Sequence, residues 1–271
     1  MSSELVVEPL SCKDLPHNLE LSSSVGWPDT DAEWRVIYQA ALVLGIKREG
    51  QLIAQGALGL FEGVASIAKM VVAPSAQRRG LGAKVLDALL VEAERRSLVR
   101  VGLVATPAGR PLYQSRGFGT VGDVAILVGT PTLATEPPGC PSIQDLGQVL
   151  AIERRFTGSA RTAMLRGRLQ EASASAICAT GFALATSQSL GSRLGPIFAD
   201  SEETARALTQ ALMLRVSGPV RLDVPGEQQA FRGWLQGLGL IEKGLHSEMS
   251  RGGALPWHVR ERFGQATQAW G

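Results

Sequence analysis

Gln77, Arg78, Arg79, Gly80 and Gly82 lie close together and carry side chains suited to holding an anion. They stand between an apolar run ended by Pro74 and the residues Leu81, Val85, Leu86, Leu89 and Ala93, whose spacing predicts an amphipathic helix. The first turn of a helix has N–H groups without intrahelical acceptors, and the macrodipole adds positive charge there. Glycines at 80 and 82 remove side chains that would keep an anion away, and Arg78, Arg79 and Lys84 raise the local potential. A pyrophosphate suits such a place. The competing reading is an ordinary helix start with two exposed arginines. The Walker pattern GxxxxGK[ST] is absent, and the order QxxGxG lacks the third glycine of a dinucleotide fingerprint.

The elements that must position this loop alternate between strand and helix patterns. "ELVVEPL" reads as a strand, "DLPHNLELSSSVGW" and "DAEWRVIYQAA" as helices, and "LVLGIKREGQLIAQGALGLF" as two antiparallel strands turning at Glu49-Gly50. "VASIAKMVVA" is the strand before the loop, "VRVGLVA" the strand after its helix, and "VAILVG" a further strand following a short helix near Pro111. The rhythm returns more faintly in the second half. Helices are expected at "SIQDLGQVLAIERRF", "ARTAMLRGRLQ", "SEETARALTQALMLRV" and "QQAFRGWLQGLG", and strands at "SAICAT", "GFALATS", "RLGPIFAD", "PVRLDVP" and "GLHSEMSRG". Ser201 supplies a cap to the third of these helices, but no glycine loop precedes it.

Between residues 129 and 145 four prolines and two glycines interrupt both patterns near the midpoint of the 271-residue chain. We therefore expect a first domain over 1–130, a proline-rich linker over 131–141 and a second domain over 142–271. With 45% apolar and 19% charged residues the chain can fill packed cores, which argues against intrinsic disorder. A net charge of +2 and the lack of any lysine-rich run argue against a nucleic-acid partner. No apolar stretch approaches the roughly 20 residues of a membrane span, and the first residues lack a signal-peptide core, so a cytoplasmic location is expected. Cys12, Cys140 and Cys178 are widely spaced and far from His17, His246 and His258, which predicts no metal site.

Downstream of the glycine loop comes "TPAGRPLYQSRGF", with Tyr113 four residues before Gly117-Phe118. "VVAPSAQRRGLG" followed at this separation by "LYQSRGF" resembles motifs A and B of the GCN5-related N-acetyltransferases, over most of residues 5–129. Gly26-Trp27, and Ala105-Thr106 with Gly109, resemble a bacterial subgroup in which a second, degenerate acetyltransferase-like half follows the first. "LGPIFAD", "LDVP" and "LGLIEKGLHSEMSRG" look like the corresponding pieces here, in a looser match over 142–252. The implied fold is α/β with a mixed sheet, in two tandem GNAT-like acyl-CoA N-acyltransferase domains.

The resemblance implies acetyl-CoA as co-substrate and transfer of its acetyl group to an amine of a small molecule or protein. Its pyrophosphate would rest on the amides of Gln77, Arg78, Arg79, Gly80, Leu81, Gly82 and Ala83. The main chain of Met70, Val71 and Val72 would pair with the pantetheine arm, with an amide there meeting the thioester oxygen. Thr106 takes the place of an asparagine that many relatives carry near the coenzyme, and Tyr113 that of the acid protonating the departing thiolate. Packing of the Tyr113 ring against the sheet is the other reading. No carboxylate lies in "VASIAKMVV", where many relatives carry the base; Glu62 just ahead of it and Asp29, Asp31 and Glu33 in the expected substrate-side loop either take the proton through a water or are solvated surface acids, and an amine with enough neutral fraction needs none. Trp27 and Trp34 either stack on the substrate or fill the core of a helical cap, while Trp234, Trp257 and Trp270 read as packing. The missing carboxylate and the degenerate second half also motivate an alternative, a non-catalytic acyl-CoA-binding regulatory protein.

Overall fold

The first half of the chain, in a computed structural model, runs β1 (Val7–Pro9), α1 (Leu15–Ser23), α2 (Asp31–Ala40), β2 (Ala41–Arg48), β3 (Gln51–Phe61), β4 (Val64–Val72), α3 (Leu81–Arg95), β5 (Arg100–Ala105), α4 (Arg110–Gln114) and β6 (Gly119–Gly129). The second half runs α5 (Leu146–Thr157), α6 (Thr162–Gln170), β7 (Ala172–Cys178), β8 (Gly181–Gln188), β9 (Gly191–Ala199), α7 (Glu202–Arg215), β10 (Val220–Pro225), α8 (Gln229–Gly237), β11 (Ile241–Arg251) and β12 (Arg262–Gly264). The structure describes residues 5–133, 139–267 and 270. Pro137 and Pro138 of the expected linker therefore lie outside the described residues; no helix or strand falls among the described residues between Gly129 and Leu146.

Local chemistry explains the boundaries that matter for the site. Glu49 and Gly50 both have positive φ (53° and 81°) at the β2–β3 turn, as a two-residue hairpin of the right hand requires. Thr30 accepts a hydrogen bond from the Glu33 N–H at 3.2 Å and so starts α2. The Ser201 side chain does the same for the Thr204 N–H of α7, also at 3.2 Å. Along α3, Leu81, Val85, Leu86, Leu89, Leu90 and Ala93 are buried on the face the helical spacing predicts.

Among the described residues all strands belong to one 12-stranded sheet with the order β1-β2-β3-β4-β5-β11-β6-β10-β9-β8-β7, and β12 pairs with β9 off this path. Each half contains a parallel pair, β4–β5 and β9–β10. The strand beside each pair comes from the other half: β11 lies antiparallel to β5, and β6 lies antiparallel to β10. The exchanged strands pair with each other in the middle, from Ile241↔Val128 to Ser250↔Gly119.

The halves also share a core. One apolar cluster joins Trp34, Ile37, Val43 and Val64 to Leu165, Phe182, Trp257 and Trp270. The Phe61 ring meets Trp257 and Trp270 edge-on, with centroids 5.2 and 5.7 Å away. Gly59 is required at this contact, because a Cβ there would come within 2.3 Å of the Trp270 ring. No described helix is long and apolar enough to cross a membrane.

Candidate active site

Two features of β4 create the site. Its parallel pairing with β5 stops at Ser66↔Gly102, although β4 continues to Val72 and β5 to Ala105. Beyond that point β5 stays with β11, pairing as far as Ala105↔Ser247, and a wedge opens between β4 and β5. On its other edge β4 bulges: Gln55 faces Val71 and Ala57 faces Ala68, so Lys69 and Met70 together oppose Gly56 alone. Lys69 takes a positive φ of 51° at this bulge. A Cβ on Gly56 would lie 2.4 Å from the Met70 sulfur, so glycine is needed there.

The expected anion loop stands at the end of this strand. Gln77 folds back, its Nε2 donating to the Val72 carbonyl at 3.1 Å, which ties the loop to β4. Arg78 and Gly80 both adopt positive φ (61° and 76°). Gly80 is the N-cap of α3 and gives it no side-chain cap. The Lys84 N–H donates to the Gly80 carbonyl at 3.0 Å, so Leu81, Gly82 and Ala83 hold the uncapped first-turn amides. A Cβ at Gly80 would touch nothing within 4 Å, and one at Gly82 would make ordinary contacts of 3.5 and 3.7 Å with Val72 and Leu112. The protein's own packing therefore does not demand glycine at 82; its effect is to leave the approach to the amides bare. Arg78 and Arg79 are exposed, and the Lys84 ammonium is bonded to the Leu5 carbonyl.

The wedge leads into a cavity of about 240 Å³. Ile67 to Met70 of β4, Val104 of β5, Thr106, Gly109 and Tyr113 line it from the first half, with Trp27, Pro28, Asp29 and Glu33. Arg193, Arg221, His246 and Thr267 line it from the second. The Tyr113 ring packs edge-on to Phe118, with centroids 6.0 Å apart. Burial alone pushes its phenol up to about 12, with no hydrogen bond or charge contributing. The Thr106 hydroxyl accepts the Gly109 N–H at 3.2 Å and shapes the turn that presents Tyr113.

At the centre of this cavity lie Asp29 and Glu33, which sequence reasoning named but read as surface acids, and Lys69, which it missed. Lys69 Nζ binds Asp29 Oδ1 at 2.6 Å and Glu33 Oε1 at 3.1 Å, with all three side chains over nine-tenths buried. Burial raises the Glu33 carboxyl, but the charge of Lys69, then Arg193 and Arg168, outweighs it and holds Glu33 at about 2. Asp29 Oδ2 is buried and makes no hydrogen bond among the described residues. The positive φ and bulge that turn Lys69 into the cavity belong to pairing with β3, which local sequence does not reveal.

The other expected residues divide. Trp27 lines the cavity, 5.8 Å from Lys69 Nζ. Trp34 is fully buried in the shared core, so it offers no stacking face to a substrate. Glu62 is exposed in the β3–β4 turn, at the end of β4 away from the wedge, 3.8 Å from Arg154. It does not reach the cavity. Asp31 is exposed beside Arg35 at 3.6 Å. Among the described residues no group of three or more His, Cys, Asp or Glu side chains is placed to hold a metal ion.

The second half contains the counterpart of the wedge. Its parallel pairing stops at Leu194↔Leu222, and β9 and β10 then separate. The gap is filled by the chain itself: β12 pairs with β9 at Arg262↔Phe198 and Gly264↔Ile197, and the Gln265 N–H donates to the Asp223 carbonyl of β10 at 2.9 Å. Arg262 pins this segment to Glu248 of β11 through bonds of 2.9 and 2.8 Å.

A diverging parallel pair, a bulged strand, an uncapped glycine turn and a buried tyrosine define a class, and family comparisons agree with it. The model described as "Acetyltransferase (GNAT) family" matches residues 13–118, and that described as "Acetyltransferase (GNAT) domain" matches residues 149–264. The chain belongs to the GNAT acetyltransferases, with two such units in tandem. It is 29% identical over 245 residues to the uncharacterized N-acetyltransferase YitH of Bacillus subtilis (strain 168), covering 85% of this chain and 84% of that protein. In fold it is similar to a protein of Pyrococcus horikoshii assigned as an acetyltransferase, with a TM-score of 0.86 at 18% identity over 100% of this chain and 97% of the other. It is also similar to a tandem GNAT protein from the clavulanic acid biosynthesis pathway, with a TM-score of 0.66 at 13% identity over 93% and 99%.

Proposed function

We propose that the chain transfers an acetyl group from acetyl-CoA directly to the amine of a small molecule, within the cavity between β4 and Tyr113. The observation that carries this reading is the wedge itself. Unpaired β4 main chain and the buried Tyr113 phenol line one cavity, and the bare amides of α3 follow the end of the same strand. Acetyl-CoA, when bound, supplies an activated acetyl thioester. The amides from Gln77 to Ala83 receive its diphosphate, and Arg78 and Arg79 add positive potential from outside. The main chain of Met70, Val71 and Val72 pairs with the extended arm, and an amide at the bulge donates to the oxygen on which charge grows.

Tyr113 remains neutral throughout the physiological range and donates its proton to the departing sulfur. Glu33, held at about 2, is too weak a base to take a proton from the acceptor amine. Asp29 Oδ2, buried and without a hydrogen bond among the described residues, is the oxygen that accepts from the acceptor amine.

The test is to incubate the chain with acetyl-CoA and a panel of small amines and to measure free thiol. Amine-dependent release is expected. Tight binding of the coenzyme with no release against any amine would replace this reading with that of a coenzyme-binding module.

A further inference from the structure

Arg193 and Arg221 are direct partners across the parallel β9–β10 pair. Like charges in that relation repel, and a fold keeps them only with compensation. The compensation here is one carboxylate. Asp223 accepts from Arg193 Nη1, and from Arg221 Nε at 2.9 Å and Nη2 at 3.3 Å. Two guanidinium groups therefore share a single negative charge at the cavity wall.

The rest of the wall does not remove the surplus. Asp29 and Glu33 are bound by Lys69, and Glu33 also feels the charge of the buried Arg168. One wall therefore sets two carboxylates, Asp29 and Glu33, against Lys69, whereas the other sets two guanidinium groups, Arg193 and Arg221, against Asp223 alone. Of those two, Arg221 is the less satisfied. Its Nη1 makes no hydrogen bond among the described residues, and its side chain keeps 21% exposure where Asp223 has none. Asp29 Oδ2 lacks a donor in the opposite sense. The cavity thus has one wall short of a donor and another short of an acceptor.

We propose that the acceptor is a small amino acid-like molecule whose carboxylate is held by Arg221 while its amine meets Asp29. This rests on the acetyl-transfer reading above and narrows its substrate. A cavity of about 240 Å³ is below the usual range for drug-sized ligands and suits a molecule with only a few bonds between amine and carboxylate. A planar guanidinium with a free N–H edge recognises a carboxylate by geometry as well as charge. The second half has then lost its own coenzyme wedge and supplies the acceptor's anchor.

The experiment compares free α-amino acids with their carboxamides as acceptors, in the wild-type chain and in Arg221→Gln and Arg221→Lys. Thermal melting and circular dichroism check folding, and Asp223 keeps Arg193 as its partner in both variants. In wild type, kcat/KM is expected to favour the best amino acid over its carboxamide by at least tenfold. Arg221→Gln brings that ratio close to one, chiefly through KM, and Arg221→Lys restores part of it. Turnover without a carboxylate preference, or a preference unchanged in Arg221→Gln, overturns the inference and leaves acetyl transfer standing. If no amine is turned over, the thermal shift given by the same amino acids decides. A shift lost in Arg221→Gln upholds the carboxylate site and sinks the transfer reading, whereas no shift sinks both.

Discussion

At the scale of single residues the site depends on a few buried polar groups whose partners are fixed. The role proposed for Tyr113 is a single proton transfer, and removing its hydroxyl leaves the ring packed on Phe118. Tyr113→Phe is expected to lower kcat about 100-fold with the coenzyme Kd within about twofold, measured by thiol release and calorimetry. An equal loss in both quantities would give the ring a binding role instead. Lys69 holds two buried carboxylates at 2.6 and 3.1 Å, so Lys69→Met removes the one cation bound to both and leaves only the longer-range charge of Arg193 and Arg168 to offset them. A destabilisation of about 3–5 kcal/mol is expected in denaturant titration. Glu33 also gives the fold an acid dependence. Its carboxyl is held at about 2 against an ordinary 4.5, so its contribution to stability is full above about 4.5 and is lost as pH falls toward 2. Glu33→Gln should flatten that part of the stability curve in urea melts between pH 5 and 2.5.

At the scale of elements, the start of α3 separates what folding needs from what a ligand needs. A Cβ at Gly82 would meet only Val72 and Leu112 at ordinary contact distances, in a helical position without positive φ. Gly82→Ala is therefore expected to leave the melting temperature within a few degrees while weakening coenzyme binding at least tenfold. A large fall in melting temperature would show that glycine serves packing. The wedge between β4 and β5 is likewise a property of elements. β4 bulges against β3 while β5 follows β11, so their divergence needs both neighbours.

At the scale of the whole molecule, two halves exchange strands and share one core. Without the second half, β5 loses its β11 neighbour and β6 loses both β11 and β10, exposing long strand edges. Residues 1–135 alone are expected to aggregate or fail to show cooperative unfolding; a monomeric fragment with a sharp melt would contradict the shared-core account. The β12 segment occupies the second wedge, so one coenzyme per chain is expected by calorimetry. On binding, hydrogen exchange should slow at residues 69–83 and not at β9 or β10.

Most of the elements were legible because their physics is local. Helical spacing marked α3, the turn at Glu49-Gly50 marked a hairpin, and the paired motifs around Gly80 and Tyr113 stand at one end of the sheet. Short β12 left no such trace, since three residues carry no periodicity and its pairing partner is more than 60 positions away. Trp34 and Glu62 illustrate the same limit, because burial and the end of a strand on which a residue falls depend on what packs there. The Lys69 cluster and the shared Asp223 arise from bulge, register and strand exchange, which bring together side chains that no spacing relates. Sequence by itself determined the repeated units and the glycine turn that starts α3, through nearest-neighbour backbone preferences. Tertiary structure alone decided how the cavity is walled and charged, because charge balance in a buried place is set by contacts between distant parts of the chain.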